Sequence, residues 1–330
     1  MIDLNDFYQS SAEIYLQGRQ EKKEIRFLGS VAGLCVIGYV IIQNVLSEIL
    51  YATPLAEYYE TDPTFSSVVT IFFSIFGMLI PFGLGGYIIG KRTNTNVFNF
   101  EKPVSIPLMI SAVPFGFFIC LIGNYVTSLF VTYMDSAGIH LSAPDYALPS
   151  DFSGRIVYAV SIAVVPALVE EFAIRGAVLQ PLRKYGDKFA ILASALLFAV
   201  LHGNLIQAPF ALIAGIGLGY AVCITNSVWT GVLIHFCNNF YSVLTEFLLE
   251  DITDEEVINQ VYLIMTVTLY AVSILGSVIF IVLKNRRKLM PSFTVLRERS
   301  KLFAYVTNIP MAIAIIIMFL ITLLFISVGG

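Results

Sequence analysis

Nine apolar stretches, most of them long enough to cross a lipid bilayer, leave this chain few ways to fold. They fall near residues 27–50, 65–90, 104–133, 154–182, 188–203, 207–225, 228–249, 259–283 and 304–328. A helix needs ~20 apolar residues to span the hydrocarbon core. Only helices and closed barrels satisfy every backbone polar group there. Charge is scarce to match: 13% of the 330 residues are charged and 57% are hydrophobic, against about 25% charged in a soluble domain. The expected fold is therefore all-α, a polytopic membrane protein of about nine transmembrane helices. The fifth stretch is short and runs into His202-Gly203-Asn204. A Gly-Asn pair stops a helix, so this one is expected to end below the membrane surface.

The basic residues orient the bundle. Seventeen of the 19 Lys and Arg fall in four clusters. These are Arg19 to Arg26, Lys91 to Lys102, Arg183 to Lys188, and Lys284 to Lys301, which includes Arg286. In a nine-helix count all four lie on one side, and the positive-inside rule makes that side the cytoplasm. Acids mark the opposite loops: Glu57, Glu60 and Asp62; Asp135, Asp145 and Asp151; and five between Glu250 and Glu256. The N-terminus is expected inside and the C-terminus outside. Residues 1–26 are polar and mixed in charge, with neither the apolar core nor the cleavage site of a signal peptide. They read as a cytoplasmic arm, and 27–330 as one membrane domain without internal repeats. Cys35, Cys120, Cys223 and Cys237 each sit in an apolar run without CxxC spacing. They are expected to be small buried hydrophobes.

Two cations fall outside the clusters. Arg155 lies at an outer helix end, where it can snorkel to water. Arg175 lies inside the fourth stretch with Glu170 and Glu171, in VVPALVEEFAIRGAVLQPLRKYG. A charge at a helix centre costs ~2.5–3.5 kcal/mol. Three unpaired would cost on the order of 10 kcal/mol, comparable to the stability of a domain. They must be paired, neutralised or wet. Glu171 and Arg175 are at i and i+4 and can pair on one face. Glu170 points about 100° away. A charge cluster holding helices together explains this motif equally well taken alone.

Two histidines within apolar stretches change that balance. The turn after the fourth stretch centres near Gly186, sixteen residues from both Glu170 and His202. In an antiparallel hairpin, equal offsets mean equal depth. The seventh stretch enters near Ser227, which brings His235 and Asn239 to a similar level, ~12–18 Å in from the inner face. His235 and Asn239 share one helix face, as do Phe198 and His202; Asn238 faces somewhat aside and could stand in for Asn239. Pro166, four residues before Glu170, is expected to disturb its helix. Ala163, Ala167, Ala173, Gly176 and Ala177 let neighbouring helices approach.

Carboxylate, imidazole and carboxamide converging in a membrane suit the activation of water. Glu170 with His202 could take a proton from water, and His235 with Asn239 could stabilise the oxyanion of a tetrahedral intermediate. Alternatively Glu170, His202 and His235 could hold zinc with an open water position. Other membrane proteases are excluded by their missing signatures. There is no HExxH, GIGLGY at 215–220 lacks a following Asp, and Ser194 and Ser227 lack a nucleophile elbow.

EEFAIRG (170–176), FAVLH (198–202) and HFCNN (235–239) match EExxxR, FxxxH and HxxxN in order. In these motifs, over about residues 154–245, the chain resembles the CPBP or Abi family, which includes type II CAAX prenyl endopeptidases and bacterial relatives linked to bacteriocin processing and immunity. The resemblance implies a four-helix core around a polar intramembrane cavity. It gives Glu170 and His202 the activation of water, Glu171 and Arg175 the shaping of the site, and His235 and Asn239 the oxyanion. The implied protein is an intramembrane endopeptidase, metal-dependent or glutamate-dependent, acting on a membrane-associated peptide or protein in a lipid bilayer, with no nucleic-acid partner. In the prenyl-protease branch a tripeptide is removed after a lipidated cysteine. Bacteria generally lack that lipidation, so in a bacterial cell membrane, the location expected here, the substrate is another. Two further readings use the same residues: a non-catalytic membrane scaffold or immunity factor, and a proton-coupled transporter. The absence of a repeat argues against the transporter.

Overall fold

The computed structural model describes residues 4–94, 97–98, 100–144, 146–285 and 287–328, with the side chains of 4–11 and 328 not included. Asp145 and Arg286, used above for orientation, lie outside the described residues. The fold is all-α. Among the described residues, eleven helices account for nearly all regular structure: α1 (Leu4–Tyr51), α2 (Leu55–Thr61), α3 (Pro63–Thr93), α4 (Ile106–Ser136), α5 (Phe152–Tyr185), α6 (Asp187–Leu201), α7 (Ala208–Thr225), α8 (Val228–Leu249), α9 (Glu255–Lys284), α10 (Glu298–Val306) and α11 (Ile309–Leu323). Seven of them, α1, α3, α4, α5, α7, α8 and α9, are long and apolar enough to cross a membrane. The pair α10 and α11 passes the same test together but is bent by 73°. Each of the nine apolar stretches thus contains a helix, but the candidate spans number seven, or eight with the bent pair, against about nine expected, because two stretches depart from a simple span. Helix α6 has only 15 residues. The ninth stretch is broken at Thr307-Asn308, where the Asn308 side chain caps α11 through the Met311 N–H and Pro310 opens the new helix.

Helix starts follow their capping residues. Asp62 accepts from the Thr64 and Phe65 N–H groups ahead of α3, and Asp151 caps α5. Asn94 and Asn226 end α3 and α7 in the left-handed conformation.

One short antiparallel ladder joins distant parts of the chain. β1 (Ile139–Leu141) follows α4, and β2 (Ile326–Val328) follows α11. The same end of the bundle holds Arg155, which does not stand free in water as a snorkelling side chain would. It binds Glu250 at 2.6 Å and donates to the Pro149 carbonyl, joining the start of α5 to the end of α8. At the opposite end, Glu21 of α1 accepts from the Val295 and Leu296 N–H groups. Buried Lys301 reaches the Tyr185 carbonyl, Ser292 and Glu298. Buried Asp187 takes Arg183 and the Met290 N–H.

The main core joins α1, α3, α5, α6, α7, α10 and α11, with α4, α7, α8 and α9 forming a second cluster. Close approach depends on small residues. Alanines 163, 167, 173 and 177 of α5 are buried, and a Cβ on Gly33 of α1 would run into the backbone of α11 at Pro310 and Met311. Cys35, Cys120 and Cys223 are buried, Cys237 is half-buried, and all four are free thiols.

Candidate active site

Helix α5 is not regular, and its irregularities bracket the charged residues. Its turns widen to π-helical geometry at Val160–Val164 and again at Phe172–Leu179. Between them lies one α-helical stretch, Val165–Glu171, opened by Pro166. A proline inside a helix removes an N–H and crowds the preceding turn, and a widened turn relieves that crowding. Glu170 and Glu171 close the α-helical stretch, and Arg175 sits in the second wide turn.

The two glutamates face different surroundings. Glu171 is fully buried, and its Oε2 lies 3.3 Å from Nε of equally buried Arg175. Its Oε1 lies 3.2 Å from Nδ1 of His235 on α8. One carboxylate therefore neutralises a cation on its own helix and anchors an imidazole on another. Glu170 is 22% exposed at its side chain, and its Oε2 lies 3.9 Å from the other nitrogen of the same ring, His235 Nε2. The ring thus stands between the two acids, fixed by the buried one and turned toward the accessible one.

Arg175 has further partners. Its guanidinium lies 4.9 Å from the centre of the Phe198 ring and reaches the Gly215 carbonyl at 3.4 Å. Arginine suits such a place, since its planar group is weakly hydrated and stacks on aromatic faces. Phe198 is the hydrophobic hinge of the site: His202 meets it edge-on at 4.8 Å and His235 at 6.0 Å. His202 ends α6, with Nδ1 2.8 Å from the Phe198 carbonyl. A carbonyl only accepts, so Nδ1 carries a proton, and in the neutral ring Nε2 is the acceptor.

Asn239 is half-buried one turn beyond His235, and its Nδ2 donates to the Ile162 carbonyl of α5 at 3.0 Å. Its neighbour Asn238 is buried and donates to Asn239 Oδ1 at 3.2 Å. The structure therefore joins Glu170, Glu171, Arg175 and His235 directly. It brings His202 to them across Phe198, and it ties Asn239 to the backbone of α5. Three contributions were not read from the sequence: the Glu171–His235 contact, the anchoring of Asn239 on Ile162, and Gly231. A Cβ on Gly231 would lie 2.4 Å from Glu171 Oε2. Its place four residues before His235, on the same helix face, is a signal that could have pointed there.

Glu170, His202 and His235 are not gathered into a three-ligand zinc set in the structure. Among the described residues no three His, Cys, Asp or Glu side chains form a group able to hold a metal. His235 Nε2 stands 3.9 Å from Glu170 Oε2, with Nδ1 of the same ring held by Glu171.

Residues 152–241 match the model of the family described as type II CAAX prenyl endopeptidase Rce1-like. This segment is Rce1-like. It runs from the start of α5 into α8 and carries Glu170, Glu171, Arg175, His202, His235 and Asn239. No curated protein and no solved structure matches the chain. The Rce1-like match supports a CAAX-protease-like peptidase of the CPBP kind, and the long apolar helices around it make the protein an integral membrane protein.

Proposed function

We propose that this protein is an intramembrane endopeptidase that hydrolyses peptide bonds of membrane-associated peptides or proteins by a glutamate-dependent mechanism. The observation that carries the reading is the pair of unlike glutamates around His235. Glu171 is buried and committed to Arg175 and the ring, while Glu170 remains accessible beside Nε2. Two carboxylates in different surroundings suit a division between structure and proton transfer.

Glu170, assisted by the free Nε2 of His202, takes a proton from a water molecule. The water oxygen adds to the scissile carbonyl carbon, and the carbonyl π electrons move to its oxygen. That oxyanion accepts hydrogen bonds from protonated His235 Nε2 and from the N–H of Asn239 not engaged with Ile162. Collapse breaks the C–N bond, and the proton held by Glu170 passes to the leaving amine. Each role is one that general acid–base and oxyanion catalysis require. Glu171 and Arg175 touch no substrate in this scheme and act by positioning. We further propose that the end bearing Glu21, Lys184 and Lys301 faces the cytoplasm, with the β1–β2 ladder outside, as the placement of basic residues favours.

The test is purified protein in detergent or liposomes, incubated with a panel of membrane-inserted peptides and analysed by mass spectrometry. Internal cleavage by the wild-type protein is expected. Absence of cleavage across a broad panel, with proton-driven solute uptake by proteoliposomes, would overturn the reading in favour of transport.

A further inference from the structure

Pro166 belongs to none of the motifs above, yet the structure connects it to the third one. In an α-helix the carbonyl of Ile162 would take the N–H of residue 166. Residue 166 is proline and has no N–H to give. The helix widens to π geometry at Val160–Val164, where the Val165 N–H bonds the Val160 carbonyl five residues back, and returns at Val165–Glu171 to α geometry, the register in which residue 166 faces Ile162. The Ile162 carbonyl instead receives Asn239 Nδ2 from α8 at 3.0 Å. Asn239 Oδ1 accepts from Asn238 Nδ2. A carboxamide has two N–H donors and one acceptor oxygen, so these two bonds fix its plane and leave one N–H unused.

We infer that Pro166 is a positioning residue: by withholding its N–H it leaves the Ile162 carbonyl open to Asn239, and this bond sets the height of α8 against α5. The function of the bond rests on the reading under Proposed function, because that height decides how His235 and the spare Asn239 N–H meet a substrate carbonyl beside Glu170. The bond also accounts for a proline only four residues from the accessible acid. Breaking the helix there exposes one acceptor in an apolar setting, where a carbonyl without a donor is costly, and a side chain from the partner helix supplies the donor.

A double-mutant cycle tests this without any substrate. Wild type, Asn239→Ala, Pro166→Ala and the double variant are purified in one detergent, and their melting midpoints are compared at one scan rate. Asn239→Ala is expected to lower the midpoint in the wild-type background. With Pro166→Ala, residue 166 regains an N–H for Ile162, and the same Asn239→Ala change is expected to lose more than half of its effect. Equal shifts in both backgrounds would overturn the inference, because independent sites add. Pro166→Ser supplies the same N–H and serves if Pro166→Ala cannot be purified. Failure of both, with Asn239→Ala well behaved, also counts against the inference, since proline would then be needed for something other than a freed carbonyl. Where the wild type cleaves a peptide, Pro166→Ala is expected to lower kcat with KM little changed, and unchanged kcat would again refute it. Coupling without cleavage keeps this inference and sinks the peptidase reading, whereas cleavage without coupling does the reverse.

Discussion

Adjacent residues on a helix point about 100° apart, and for Glu170 and Glu171 that angle separates accessibility from burial. The buried member is the more exacting to replace. Removing one partner of a buried ion pair leaves an uncompensated charge and costs roughly 3–5 kcal/mol. Arg175→Leu is therefore expected to lower the melting midpoint sharply, and Arg175→Lys to recover little, because an ammonium cannot reproduce the contacts with Phe198 and the Gly215 carbonyl. A thermal scan of the three proteins checks this. Gly231→Ala places a methyl 2.4 Å from Glu171 Oε2 and so pushes the carboxylate off His235. Imidazole ¹⁵N spectra should show His235 shifted while His140 and His202 stay in place. Any peptidase activity should fall on the order of 10²-fold, as for a displacement of about 1 Å. An unshifted His235 would show that Glu171 does not hold the ring. At this scale the sequence was informative about spacing and silent about contact. The i, i+4 relation exposed the Glu171–Arg175 pair, because both residues lie on one helix. Nothing in the linear order of Glu171 and His235 indicates that a carboxylate and an imidazole 64 residues apart share a bond.

Among the elements, apolar runs announced the helices, since run length against bilayer thickness is a one-dimensional test. Departures from straightness were harder to read. Pro166 signalled a disturbance in α5, but the second wide turn, Phe172–Leu179, and the 73° break between α10 and α11 depend on what packs against them. The strand pair was also hidden, because three residues following α4 find their partner near residue 327. The arm of α1 is held by two acids: Glu21 accepts both the Val295 and Leu296 N–H groups, and Glu24 accepts from Lys184 and Tyr185. Glu21→Ala should release this loop, raising hydrogen exchange at residues 293–297 without altering exchange in α5 and α6. Uniform exchange across both regions would contradict a local docking role.

For the whole molecule, the contacts sort the loops into two ends. The α1 arm, the turn at 183–187 and the loop before α10 share one end, and the strand ladder, Arg155 and Glu250 share the other. Basic clusters had already grouped these loops, because charge placement follows membrane sidedness rather than fold. With the four native cysteines replaced by alanine, a membrane-impermeant maleimide added to right-side-out cells should label Ser142→Cys and spare Phe293→Cys. The reverse pattern would invert the orientation proposed here. The central claim is narrower than topology: Glu170 is the base of a hydrolytic site, and its buried neighbour is the support. The most direct measurement is the rate of peptide cleavage by wild type and Glu170→Gln, with the melting midpoint of each recorded on the same preparations. The account predicts a loss of about 10²–10⁴-fold in rate with the midpoint nearly unchanged, and wild-type cleavage by a folded Glu170→Gln protein would contradict it.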